Sequence, residues 1–522
     1  MDTVATPQHH HGTASVDRVS LREKIGLGFG KAIGDGTHGT LHVLVSQIYN
    51  MTLGLDPRLL STIVFIQRLW DAMADPLFGQ FSDNFRSRWG RRRPLLLAAA
   101  LPVGLTWAWM WWFPRGANAV STHVRLHLFG GWTLPVVIPP YLFWHLLVVS
   151  LIFYTVYSLY TMPLGGLIIE ATDDYHERTR IAGFTLAFGF AAQIGSQWVF
   201  PLTERWVPAA ASMSQRVYGT VTGVRWVSLG CGVLFFLVAL LPVILCHERM
   251  YAKVAGKQRR IAFRESWRAV RGNKSFMTLL WARCIFSFGF NVVGILGGYM
   301  YVYYVFAGDI KGSAFSAAVI GSGFHVAGIV TSLAVFPYIE RRIGKRHTLE
   351  LAAGVLIVDC LCKIVLYQHG RTWWPLPIVM MNGVSNAGVS LMCVAMLGDI
   401  SDYDEWQTGL RREGLFNSLL SWFEKAGNSV GYLLSGFILA WIGFNANLGA
   451  QSNHTLQLMK LAYVVAPATG ALITILLVRR YELTQDQVYE IKEELARRRA
   501  AKNALEAGAS VRTDLLIEGN AS

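Results

Sequence analysis

The chain has 522 residues, 53% of them hydrophobic and 15% charged. That charged share lies well below the roughly 25% of a soluble domain, and apolar runs of the ~20 residues needed to cross a bilayer recur along it, so a soluble globular protein is excluded. The net charge of +14 does not point to nucleic acid, because the basic residues crowd alternate connections between apolar runs. That is the positive-inside pattern of a polytopic membrane protein.

Residues 1–25 form a polar leader without the apolar core and small-residue cleavage site of a signal peptide, and are read as a cytoplasmic tail. About twelve apolar segments follow, starting near residues 30, 60, 94, 138, 181, 226, 277, 314, 347, 374, 414 and 459. The basic stretch 247–274, HERMYAKVAGKQRRIAFRESWRAVRGNK, divides them into six (26–246) and six (275–480). An even number of spans with the basic loops inside places both termini in the cytoplasm. Residues 481–522 mix acids and bases at helical spacing, as a short cytoplasmic helix would. The six cysteines fall in or beside apolar segments with no metal-ligand spacing, so neither disulfides nor zinc is expected. The expected fold class is an all-α polytopic membrane protein.

The two halves echo each other. SDNFRSRWGRRRPLLLAAALPVG (82–104) has its counterpart in PYIERRIGKRHTLELAAGVLI (337–357), and EATDDYHERTR (170–180) in GDISDYDEWQTGLRREG (398–414). Parallel six-helix repeats with a site between them describe the major facilitator architecture. Asp83, Arg88, Arg91, Arg178, Asp399, Asp402 and Arg411 lie in the echoed loops and are candidates for a cytoplasmic gate, where ion pairs hold one conformation shut and break in the other.

The second apolar segment holds Arg68, Asp71 and Asp75, which share one helical face. A charge at mid-bilayer costs ~3 kcal/mol or more, so this face must look into the bundle or a wet cavity. Two carboxylates one turn apart in a partly dry site cannot both stay ionised without a counter-charge. Either a proton or a small cation must neutralise them, or Arg68 balances them in a purely structural network. Segment four presents Tyr154, Tyr157, Ser158 and Thr161 on one face. Segment one presents Asp35, His38, His42 and Ser46; the histidines can bind hydroxyls, relay protons or simply pack. Segment eleven carries Asn417, Ser421, Glu424, Lys425 and Asn428. Lys425 needs an anion, either Asp71 or Asp75 across the halves or its neighbour Glu424, and adjacent helical residues face different ways. Asp359 and Lys363, at i and i+4, read as a structural pair. Asn382 and Asn386 read as pocket lining or interhelical glue, and Trp107, Trp109, Trp111 and Trp112 as an interfacial belt.

KIGLGFGKAIGD (24–35), RLWDAMADPLFGQFSDNFRSRWGRRRP (68–94), DDYHERTR (173–180) and DYDEWQTGLRREG (402–414) resemble the signatures of the glycoside–pentoside–hexuronide:cation symporters, the melibiose permease group, and the likeness runs in order along the chain. It implies twelve transmembrane helices in two six-helix bundles, and a secondary active symporter that moves a sugar or glycoside with a cation by alternating access. It implies a coupling site at Asp71, Asp75, Ser158 and Thr161, and a substrate site at Asp35, His42, Arg68, Tyr157, Ser421 and Lys425. It also implies a monomer that needs no cofactor. Three departures matter. Thr161 stands two residues before Pro163, where melibiose permease has an acid. Ala74 stands where relatives place an oxygen-bearing side chain. The helix-five stretch GFTLAFGFAAQ (183–193) lacks the sugar-binding arginine. Fewer oxygens favour a proton over sodium, and the missing groups weaken the case for a melibiose-like galactoside, leaving Arg68 and Lys425 as cations for a hexuronate.

No Walker-type motif and no covalent catalytic constellation is evident, so neither a pump nor an enzyme is expected. Two rivals are a sodium-coupled lysophospholipid carrier and a transporter-like sugar sensor. Asp35 and the polar stripes favour a hydroxyl-rich solute over a lipid, and the C-terminal extension is too short and featureless to support a sensor.

Overall fold

The computed structural model describes residues 18–248 and 271–498, apart from 88, 128–132, 173–174, 209–210, 410–411, 447 and 449. Arg88 and Arg411 of the expected gate lie outside the described residues, as does the Arg178 side chain.

Among the described residues, twelve long helices run in chain order: α1 (Leu21–Val45), α2 (Pro57–Asn84), α3 (Arg93–Trp109), α4 (Tyr141–Ile169), α5 (Tyr175–Gln197), α6 (Met213–Leu245), α7 (Lys274–Tyr299), α8 (Ile310–Val330), α9 (Phe336–Leu366), α10 (Pro375–Thr408), α11 (Glu413–Trp441) and α12 (Asn453–Val478). By length and composition alone α4, α6, α7, α10 and α12 suffice to cross a membrane. Helices α1, α2 and α11 carry the ionisable residues that matter below. Polar caps set several starts. Ser20 and Glu23 form a capping box that begins α1 at Leu21, earlier than hydropathy suggests, and Ser212 with Gln215 does the same for α6. Asp56 caps α2, with Pro57 in the first turn where its missing N–H costs nothing. Helices α1 and α7 both widen into π-turns at their ends, Ser46–Thr52 and Met300–Val305.

The packing repeats with a shift of six. Helix α1 packs on α5 and α6 as α7 packs on α11 and α12. Helix α3 packs on α4 and α6 as α9 packs on α10 and α12. Helix α2 packs on α4 as α8 packs on α10. The halves meet where α2 lies along α11 and α8 along α5, which the same operation exchanges. Close helix approach needs small residues: a Cβ on Gly232 of α6 would come 2.7 Å from the Gly104 carbonyl oxygen of α3.

One reading of the sequence, that of the tryptophans, needs correction, and two features add to the all-α plan. A two-stranded antiparallel hairpin, β1 (Thr122–His127) and β2 (Thr133–Ile138), interrupts the all-helical pattern between α3 and α4. Trp107 and Trp111 are buried core residues, and only Trp109 and Trp112 are exposed as an interfacial belt would be. The tail is docked: helix α13 (485–498) buries Ile491 and Leu495, and Lys492 Nζ lies 2.9 Å from Asp399 of α10.

Candidate cation and substrate site

Helix α2 brings Asp71 and Asp75 to the seam between the halves, where α11 lies alongside. Lys425 of α11 reaches both, with Nζ 2.9 Å from Asp71 Oδ2 and 2.5 Å from Asp75 Oδ2. The Ser158 hydroxyl of α4 donates to Asp75 Oδ1 at 2.8 Å. Asp71 Oδ1 is buried with no partner among the described residues, so one acceptor position stays open toward a proton or a cation. Ser429, one turn beyond Lys425, spends its hydroxyl on the Lys425 carbonyl.

Thr161 makes no hydrogen bond to the aspartates among the described residues. Its hydroxyl donates to the Tyr157 carbonyl of its own helix at 3.0 Å, the usual back-bond of a threonine inside a helix. Ser158 is the α4 residue that reaches the aspartates. Glu424 does not neutralise Lys425 either: it accepts from Arg283 of α7. Arg283 escaped the sequence reading; its signal was a lone arginine inside the apolar run of α7. Asn291 of α7 donates to Asn428 Oδ1 at 2.5 Å, a second polar tie between the same helices.

The α1 stripe faces the same region. Asp35 pairs with Lys31 one turn earlier, Nζ to Oδ1 2.8 Å, a partner that its i,i+4 spacing could have shown. Asp35 Oδ2 lies over Gly189 of α5, where any Cβ would collide with it. The glycine thus makes room for the carboxylate. Tyr157 donates to the Gly34 carbonyl at 3.3 Å. His42 sits between His38 and Tyr432, with ring centroids 4.7 and 5.1 Å away, and its Nε2 meets the Arg68 guanidinium. Arg68 also lies 5.8 Å from the Tyr432 ring centroid. Ser421 is exposed, one turn before Lys425.

Among the described residues, the ion pairs of Asp83, Glu170, Asp399 and Asp404 lie within each half. At the end bearing the basic loops, Glu170 accepts from Arg91 Nη2 at 2.5 Å and from Arg92 Nη2 at 2.6 Å. Asp83 lies 3.3 Å from Arg92 and 3.9 Å from Arg91. Glu248 accepts from the backbone N–H groups of Arg91, Arg92 and Arg93 at 2.7–2.8 Å, fastening the exit of α6 to the start of α3. In the second half Asp399 meets Lys345 at 2.6 Å as well as Lys492, and Asp402 lies 3.9 Å from Lys492. Arg412 holds Asp404 through two hydrogen bonds.

At the opposite end the halves are tied together. Tyr299 of α7 donates to Asn50 Oδ1 at 2.7 Å, Trp198 to Ser322 at 3.2 Å, and Lys311 to the Val207 carbonyl. Arg216 lies 3.8 Å from Asp309. At the basic end, by contrast, Cβ positions on Gly79, Gly165, Gly183, Gly398 and Gly414, drawn from both halves, face open space.

Against known proteins, the family model described as MFS/sugar transport protein matches residues 26–485. The isoprimeverose transporter of Lactiplantibacillus pentosus is 22% identical over 461 residues, covering 88% of this chain and 87% of that one. A glucuronide carrier protein homolog of Escherichia coli (strain K12) is 22% identical over 497 residues, covering 94% and 98%. The crystal structure of a D-xylose-proton symporter superposes with a TM-score of 0.56 at 14% identity, over 87% of this chain and 95% of that one, which establishes the shared fold.

Proposed function

We propose, from the premise that the chain belongs to the MFS/sugar transport protein family, that it is a symporter that carries a sugar or glycoside together with a proton. The observation that carries this reading is Lys425 lodged between Asp71 and Asp75 across the seam of the two halves. A cation arriving at the two carboxylates competes with the lysine for the same oxygens. Loading the site therefore weakens the tie between α2 and α11 and changes the balance between conformations, which is what coupling requires. The sugar binds beside it, on Asp35, His42, Arg68 and Tyr157, where a carboxylate, an imidazole and aromatic rings suit hydroxyls and a sugar face.

A proton is favoured because the oxygen set around the aspartates is sparse. Ser158 is the hydroxyl bonded there, the Thr161 hydroxyl is engaged as a donor to the Tyr157 carbonyl, and a hard cation needs several oxygens. The orientation follows from the basic loops, which belong in the cytoplasm with both termini. The sealed end then faces outward and the protein stands inward-facing, one of the two states between which the halves rock. The names borne by relatives, an isoprimeverose transporter and a glucuronide carrier homolog, agree with a sugar cargo. The polar site on α1, α2 and α11 disfavours a lysophospholipid.

Proteoliposomes test the reading. Labelled sugars are offered with an imposed proton gradient, with and without sodium, and accumulation should follow the proton gradient alone. Strict sodium dependence overturns the proton assignment, and failure to exchange any sugar overturns the transport reading.

A further inference from the structure

An acid–base pair stands at the same place in each half. The operation that carries the first half onto the second carries α1 and α5 onto α7 and α11. Lys31 on α1 and Arg283 on α7 lie at nearly equal distances before Gly54 and Gly308, the left-handed glycines that follow the equivalent π-turns. Each cation takes one oxygen of a carboxylate: Lys31 that of Asp35 Oδ1, at 2.8 Å, and Arg283 that of Glu424 Oε1. In the first half the acid belongs to α1 and lies against Gly189 of α5. In the second it belongs to α11 and reaches α7. The other oxygens, Asp35 Oδ2 and Glu424 Oε2, accept no hydrogen bond among the described residues, and neither is enclosed.

Glu424 faces the interior and not the lipid. Asn417, Ser421, Glu424, Asn428 and Tyr432 recur every three or four residues along one side of α11, and Tyr432 on that stripe meets His42 and Arg68. The other side carries the exposed apolar residues Trp422, Val430, Leu434, Phe437 and Trp441. Nor does the pair resemble Asp359 and Lys363, whose side chains are both fully enclosed. The Arg283 side chain is 8% exposed and that of Glu424 34%. The cation sits behind and the acid stands forward, its charge secured by a guanidinium that does not lose its proton.

We propose that Glu424 is a second cargo-binding carboxylate, set in the second half as Asp35 is in the first, and that Arg283 positions it. This deepens the symporter reading above and rests on it. An ionised carboxylate with one oxygen free accepts hydroxyl hydrogen bonds, which are stronger than those between neutral groups. A polyhydroxylated cargo gives one set of hydroxyls to Asp35 and another to Glu424, and is gripped from both halves. That grip complements the cation. Loading the aspartates loosens Lys425 from α2, and the cargo supplies a new tie, between α1 and α11. The closed, loaded state then depends on both solutes, because each makes contacts that the empty state lacks.

The test uses the full-length protein, with binding measured in detergent and uptake in proteoliposomes. The probes are methyl glycosides of the common hexoses and pentoses, and the tightest is followed through its monodeoxy analogues. Glu424→Gln keeps the size of the side chain and its bond to Arg283. It should weaken binding and raise KM by about 10–100-fold, the weight of hydrogen bonds to a charged group, with the protons moved per sugar unchanged. Loss of the hydroxyl that Glu424 holds should cost the unaltered protein about 10-fold or more and cost Glu424→Gln nothing further. Loss of a hydroxyl held by Asp35 should remain costly in both. Arg283→Gln should raise KM likewise, and Arg283→Lys should restore it. Should a single change unfold the protein by leaving a buried charge unmatched, the double Arg283→Gln, Glu424→Gln change removes both charges and should bind as weakly. A Glu424→Gln or double variant that binds the whole deoxy series as the unaltered protein does overturns the inference. The pair is then only a tie between α7 and α11, and the symporter reading stands. An unaltered protein that neither binds nor transports any of these glycosides removes the sugar reading and this inference with it.

Discussion

Lys425 of α11 bridges Asp71 and Asp75 of α2, with Nζ within 2.9 Å of a carboxylate oxygen on each, so one ammonium joins the two halves of the molecule at the level of the site.

Removing either aspartate should uncouple transport. Asp71→Asn and Asp75→Asn each take away a group that must accept positive charge, and accumulation against a gradient should vanish. Lys425→Met leaves two like charges one turn apart. Breaking a buried pair costs about 3–5 kcal/mol of stability, with the lower end applying because the Lys425 side chain is 28% exposed, and the loss of the bridge between the halves should lower coupled accumulation. Accumulation in proteoliposomes measures all three. An asparagine variant that still concentrates solute would remove the pair from the coupling mechanism.

Much of this site was legible because charge inside an apolar run is conspicuous. Arg68, Asp71, Asp75 and Lys425 each break a hydrophobic segment, and helical spacing assigns their faces. The twofold packing was legible in the repeated loops. Partner choice was not. Asp83 and Arg91 read as parts of a cytoplasmic gate with no partner specified, and Glu170 and Glu248, which look unremarkable in sequence, are the groups that bind the arginines within the first half. Thr161 shares its face with Ser158, but its rotamer, and hence its bond to Tyr157, depends on local packing. Amphipathic spacing suggested the tail helix, whereas its docking surface on α10 is formed only by the fold.

Asp359 and Lys363 should behave as structural residues. Their 2.7 Å pair is fully enclosed, and Lys363 lies 4.3 Å from the Tyr463 ring centroid. Asp359→Asn or Lys363→Met alone should destabilise the protein by about 3–5 kcal/mol, since each leaves its partner charged and buried; the double Asp359→Leu, Lys363→Met change should recover most of that loss. Thermal unfolding in detergent reads the difference. Equal destabilisation by the single and double changes would show that the pair itself is needed for the fold.

The docked tail can be released by a single change. Leu495 is 5% exposed on α13, and Leu495→Asp places a charge against the second half. Lys492→Ala, a partly exposed pairing, should cost under about 1 kcal/mol, while Leu495→Asp should expose the segment after Leu483 to limited proteolysis. If both variants resist protease as well as the unaltered protein does, α13 is held by contacts other than these.

The seal at the end opposite the basic loops depends on a glycine. Gly436 of α11 packs so closely on α2 that a Cβ would overlap Ser61 Oγ and the Pro57 carbonyl oxygen. The carbonyl belongs to the backbone and cannot rotate aside, so even Gly436→Ala must push the helices apart there. At the same end Tyr299 ties α7 to Asn50. Gly436→Ala should therefore disfavour the sealed state, and Tyr299→Phe should do so more weakly by about 1 kcal/mol, the net worth of one buried hydrogen bond. A cysteine introduced at Thr52 should then react faster with an impermeant maleimide added from outside, several-fold for Gly436→Ala and less for Tyr299→Phe. Unchanged labelling in Gly436→Ala would mean that this helix contact does not close the outer end.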